Sequence, residues 1–245
     1  SGERLDVAAG TSSSRARRSD DLFFGGMAAV IIALVFAGFA RTFYLSAHFH
    51  GPSLTPLRIV HGIAFSAWVL LFALQTSLVA AGRTDLHRRL GVGGAVLAGI
   101  MVILGTTLAI ANGREGHAPD HVDPRVFFAV PLFDMLVFPA LVGAALYFRR
   151  RPDAHKRLMF LATASLTAAA AARLPISLAA AGPLFYFGVV DLLVIAGVIY
   201  DVARRRAVHP AYLWGGLCLL GSQVLRLAIS RTPAWLAFAG MLGVR

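Results

Sequence analysis

The stretch "RVFFAVPLFDMLVFPALVGAALYF" (125–148) decides the fold. A helix needs about 20 apolar residues to cross a hydrocarbon core roughly 30 Å thick, and this run supplies them. Inside it stands one carboxylate, Asp134. A charge at mid-membrane costs about 2.5–3.5 kcal/mol on insertion scales, so the residue needs a partner or a polar cavity.

Working outward, six more runs of similar character appear, giving candidate spans at 22–42, 57–81, 89–112, 125–148, 157–180, 183–202 and 211–230. The 245 residues are 58% hydrophobic and 14% charged, with a mean hydropathy of +0.72. Soluble domains carry about 25% charged residues, so the expected class is all-α: a polytopic seven-transmembrane-helix bundle over 22–230. Residues 1–21 are polar and read as a disordered cytoplasmic tail. The apolar run after them is too long for a signal-peptide core and reads as a retained first span. "AWLAFAGML" after Pro233 is too short to span, so 231–245 is expected as an interfacial tail on the outer side.

A net charge of +11 could suggest nucleic acid, but its placement argues for lipid. With the N-terminus inside, fifteen of the 23 basic residues fall in inner segments and six in outer ones; only Arg173 and Arg226 lie within spans. That bias places the N-terminus inside and the C-terminus outside, with basic loops against anionic headgroups and no nucleic-acid partner. Cys218, the only cysteine, excludes an internal disulfide.

Two inner loops nearly repeat, "TDLHRRLG" (84–91) and "PDAHKRLM" (152–159), and Thr84 or Asp85, and Asp153, read as N-caps of the helices that follow. Small residues in "GVGGAVLAG" (91–99) and "TAAAAAR" (167–173) are spaced for close helix contact.

Within spans lie His61, Gln75, Asp134, Arg173, Asp191, Ser222, Gln223 and Arg226. At 1.5 Å per residue, His61, Arg226, Arg173, Asp191 and Asp134 fall roughly 6 to 14 Å below the outer surface. Spacings of four or seven also keep Arg173, Arg226 and His61 each in line with other polar residues on one face of its helix. These five are therefore the candidate ligand-binding set, lining an outward-facing polar pocket for a small ligand or ion, or for protons. Asp134 is expected to pair with Arg173 or Arg226. A second hypothesis, a metal- or haem-dependent membrane enzyme, uses the outer His48, His50, His117 and His121 to hold zinc or copper. Haem fits less well, since only His61 is clearly within a span; His87 and His155 could form an inner pair. The third makes the chain a structural subunit, with a membrane-protein partner or a second copy. Phosphate loops, His-Glu-x-x-His and nucleophile elbows are missing, and the single lysine, Lys156, lies outside the spans, which removes a retinal-type Schiff base.

"LRIVHGIAFSAWVLLFALQTSLVAAGRTDLHRRLGV" (57–92) and "RRPDAHKRLMFLATASL" (150–166) resemble an uncharacterised group of bacterial multi-span membrane proteins with "HRRLG" and "HKRLM" loop motifs. The resemblance covers spans 2 to 5. It implies a multi-pass protein of the bacterial inner membrane with about seven spans, in which His61, His87 and His155 match recurring motif positions.

Overall fold

A computed structural model describes residues 2–51, 53–119, 121–175 and 181–245, with side chains from 18 onward. Every described regular element is helical. The helices are α1 (Gly2–Phe39), α2 (Pro56–Ala80), α3 (Thr84–Arg114), α4 (Pro124–Phe127), α5 (Ala129–Tyr147), α6 (Pro152–Ser165), α7 (Thr167–Ala171), α8 (Pro183–Arg205), α9 (Pro210–Ile229) and α10 (Pro233–Met241). The expected tail over 1–21 falls largely on residues whose side chains lie outside those described.

Among the described residues, six segments are long and apolar enough to cross a membrane: Arg18–Tyr44, Pro56–Ala80, Thr84–Arg114, Pro124–Tyr147, Pro183–Arg205 and Pro210–Ile229. Their outer faces carry exposed aliphatic side chains such as Ile103, Leu192 and Val224, as lipid-facing helices do. The stretch expected as a fifth span, 157–180, is built differently. It is occupied by α6 and α7, which meet at Leu166, and residues 176–180 lie outside the described set.

The interruption has a local cause. Ser165 Oγ and Thr167 Oγ1 donate to the carbonyls of Ala162 and Ala164, three residues back, and Leu166 N bonds Thr163 O. Hydroxyls bonded to their own helix compete with the regular ladder and bend it. The piece is nevertheless the best-buried part of the bundle: Phe160, Leu161, Ala162, Ala164, Ala170 and Ala171 are fully enclosed. Helix α1 packs against α7, α5 and α9 against α6, and α8 against both α6 and α7. Contact at the break is tight enough that a methyl group on Gly38 would collide with the Ala170 backbone. The stripe of small residues in α3 is also used, with Gly94, Ala98, Gly105, Ala109 and Gly113 buried.

Two expectations at the helix starts are corrected. The cap positions of α3 and α6 are Arg83 and Arg151, with no side-chain cap bond. Asp85 and Asp153 sit two residues further in, as first-turn acids, where they still favour the positive helix end. At the chain's end, α10 folds back onto α4 and α5. Trp235 Nε1 donates to Arg125 O (2.8 Å), and Phe128, Ala129, Ala109, Ala239 and Val244 join Trp235 in a small second core.

The α2–α3, α5–α6 and α8–α9 turns carry the arginine runs, and that side is termed the basic end below.

Candidate functional site

Four elements build a polar cluster in the half of the bundle away from the basic end. Arg226 on α9 is 3% exposed and donates from Nη1 to Asp134 Oδ1 on α5 (2.6 Å) and to Val130 O (3.2 Å). Its Nη2 donates to Ser222 Oγ (3.0 Å) and its Nε to Ser222 O (3.2 Å). The guanidinium lies 5.1 Å from the Phe187 ring centre and 5.7 Å from that of Phe133. A delocalised, weakly hydrated cation suits such an aromatic slot better than an ammonium does. On the next face of α9, Gln223 Nε2 donates to Asp191 Oδ1 on α8 (2.8 Å). Asp134, Ser165, Gln223 and Arg226 border a cavity of about 10 Å³. That is near the smallest void able to hold one water, and such a water needs two to four polar partners, which these side chains provide.

Asp134, Asp191 and Arg226 thus come together, and the partner of Asp134 is Arg226. Arg173 does not join them: it bonds its own helix at Ala169 O (2.7 Å) and stands over Phe39 at 5.0 Å. His61 stacks on Phe65 (4.1 Å between centres), with Nδ1 buried and without a protein partner.

The four outer histidines do not form a centre among the described residues, where no three His, Cys, Asp or Glu side chains lie close enough to share a metal ion. His48 packs on Phe49, and His117 lies 3.3 Å from Glu115, which Arg58 also binds (2.8 Å). His50 and His121 occupy exposed positive-φ turn positions. Asp120, between the last two, lies outside the described residues.

The basic end holds two features that sequence reasoning missed. Arg157 on α6 and Asp201 on α8 are fully buried, at 0% exposure each. Arg157 Nε donates to Asp201 Oδ2 (2.8 Å) and Oδ1 (3.1 Å), and its Nη2 reaches Oδ1 as well. The Asp153 carbonyl takes Nη1 (2.8 Å), and His209 N donates to Asp201 (3.3 Å). Around this pair, Lys156 binds Asp20 (2.5 Å) and Asp153 (2.9 Å), Arg205 binds Asp153 (2.8 Å), and Tyr200 donates to Asp20 (2.6 Å). Lys156 and Arg205 thus balance the Asp153 carboxylate from two sides. The signal in the sequence was the pairing of an arginine just inside α6 with an aspartate at the end of α8. Both looked like ordinary surface charges.

Beside this pair is a cleft of about 570 Å³ between α5, α6 and α9. Its floor is apolar (Leu141, Ala144, Leu158, Gly215), and Arg151, Asp153 and His209 stand at its mouth. His209 Nδ1 accepts from Ala211 N (3.0 Å) and so caps α9. Burial, and then the charge of Arg157, lower the His209 pKa, which keeps the ring neutral and able to cap.

The two loop histidines of the repeated motifs also meet. The His87 and His155 ring centres are 6.1 Å apart and nearly perpendicular.

Comparisons with protein-family models, with curated proteins and with solved structures give no match for this chain.

Proposed function

We propose that this integral membrane protein passes protons along its buried, interrupted helix, through the Asp134–Arg226 cluster. In this reading α6 and α7 together form a seventh span: with the junction residue Leu166, the 20 residues 152–171 reach about 30 Å at 1.5 Å per residue. The basic end faces inward, as the distribution of arginines favours, in a bacterial inner membrane. The observation that carries the function is the one-water cavity bordered by Asp134, Ser165, Gln223 and Arg226. It is far too small for a metabolite, which narrows the expected ligand pocket to a site for water and protons. Below it, α6 presents two further buried hydroxyl groups in series, Ser165 and Thr163 (bonded by Trp68 Nε1, 3.3 Å). Intramembrane carboxylates and hydroxyls in such a series are what proton relays are made of.

Purified protein in vesicles carrying a pH-sensitive dye tests this. We expect a pH gradient to collapse several-fold faster than in protein-free vesicles, and Asp134→Asn to remove most of the difference while Asp134→Glu restores it. Equal decay with and without protein sinks the reading.

The cleft at the basic end favours a second role, the holding of an anionic amphiphile. Its volume lies in the range of about 300–1,000 Å³ typical of ligand sites, and it combines an apolar floor with Arg151 at the mouth. A phospholipid retained through delipidation, and lost in Arg151→Glu, supports that role. Equal retention by both proteins counts against it.

A further inference from the structure

The geometry points to a transition-metal centre held in trans between His87 and His155, independent of the Asp134 cluster. These residues occupy the same place in the two near-repeated loops, "TDLHRRLG" and "PDAHKRLM", at the starts of α3 and α6. Helices α3 and α6 are not neighbours in sequence, yet both pack on α5, which brings their first turns together. A chance approach of two imidazoles would leave their other atoms unremarkable. Here three atoms are set as a metal site requires.

First, His155 Nδ1 lies 2.9 Å from the Ala145 carbonyl oxygen. That contact makes Nδ1 the protonated nitrogen and leaves Nε2 with a free lone pair. A backbone carbonyl on the far nitrogen is the usual means of orienting a ligating histidine. Second, His87 Nδ1 is buried with no protein partner, and buried polar atoms are rarely left so without a reason. Third, Gln75 reaches the His87 carbonyl through Nε2 (3.2 Å), while its own Oε1 is likewise buried and unpartnered. A bound ion would take up the unpaired ring nitrogens of His87 and His155, on α3 and α6.

The separation of the rings selects the coordination. Two imidazoles in trans, each with nitrogen about 2.0–2.1 Å from one metal, put their ring centres roughly 6 Å apart; a tetrahedral angle brings them to about 5 Å. The observed 6.1 Å fits the trans case. Two trans imidazoles suit copper(I) in two-coordination, and a bare ion is small enough for so enclosed a place. The flanking Arg88, Arg89 and Lys156 disfavour a bare dication. A monovalent ion bears about half that penalty.

The purified full chain should be titrated with copper(I) against a chromogenic chelator. We expect one equivalent to bind, with an X-ray absorption signature of two nitrogen ligands. His87→Ala and His155→Ala should each reduce occupancy at least tenfold, while His61→Ala and His117→Ala keep it. Where an alanine variant does not fold, His87→Gln and His155→Gln take its place, and the spectroscopic signature of the unaltered protein stands on its own. No stoichiometric binding overturns the proposal, as does a coordination shell with fewer than two imidazoles. Occupancy unchanged in both single variants overturns it as well.

Discussion

The bundle contains two buried arginine–aspartate pairs, and they differ in how completely they are shut. Arg157 and Asp201 are wholly enclosed, joined through two guanidinium nitrogens and braced by the Asp153 carbonyl and the His209 amide. Arg226 and Asp134 are joined through one nitrogen, Asp134 keeps 14% of its side chain exposed, and a one-water void borders them. A saturated, sealed pair has no capacity left for chemistry and acts as a lock on helix position. The looser pair retains oxygen lone pairs that a water or proton can reach.

The largest expected effect breaks the lock. Removing one partner of a sealed pair strands a buried charge, so Arg157→Met or Asp201→Asn should cost about 3–5 kcal/mol. Thermal unfolding in detergent reads this, and the double change Arg157→Met with Asp201→Leu should recover most of it. If the single changes leave the unfolding temperature in place, the pair locks nothing. Next comes Gly38→Val, where the added methyls meet the Ala170 backbone and overpacking should cost about 1–3 kcal/mol. An undiminished melting temperature there means that α1 and α7 can separate.

Asp134→Asn should cost less, about 1–2 kcal/mol, as interhelical polar contacts in membranes do, while removing most proton flux. That split, small in stability and large in flux, separates the two pairs most sharply. The smallest effect is on the cap of α9. The folded pKa of His209 lies below the ordinary value of about 6.5, so the folded state prefers the neutral ring. Its contribution is therefore present above pH 6.5 and is lost as pH falls from there through the folded value, on the order of half a kcal/mol. Melting curves of His209→Asn, whose cap does not titrate in this range, should lack that slope.

Much of this was legible in the residues. Asp134 and Arg226 stood out because each interrupts a long apolar run; their depths matched, and periodicity placed Arg226 on a polar face. Arg173 stood out for the same reason, yet its long side chain turned back to its own carbonyl and an aromatic ring, a choice that spacing cannot foresee. Arg157 and Asp201 were hidden by their position near helix ends, where charges ordinarily reach water. What buries them is the central placement of α6, which depends on contacts from four other helices. The break at Leu166 was also invisible, because serine and threonine hydroxyls bend a helix only when no better partner is at hand.

The central position of α6 bears on how the chain enters the bilayer. The arginine near its start finds its counter-charge on α8, 44 residues later in the chain. During synthesis, then, the segment emerges from the ribosome before the carboxylate that neutralises it exists. In the seven-span reading it stays at the headgroup boundary, or beside the insertion machinery, until α8 arrives, and the two then settle into the bundle as a unit. Assembly order is thereby written into the distance between two charged residues.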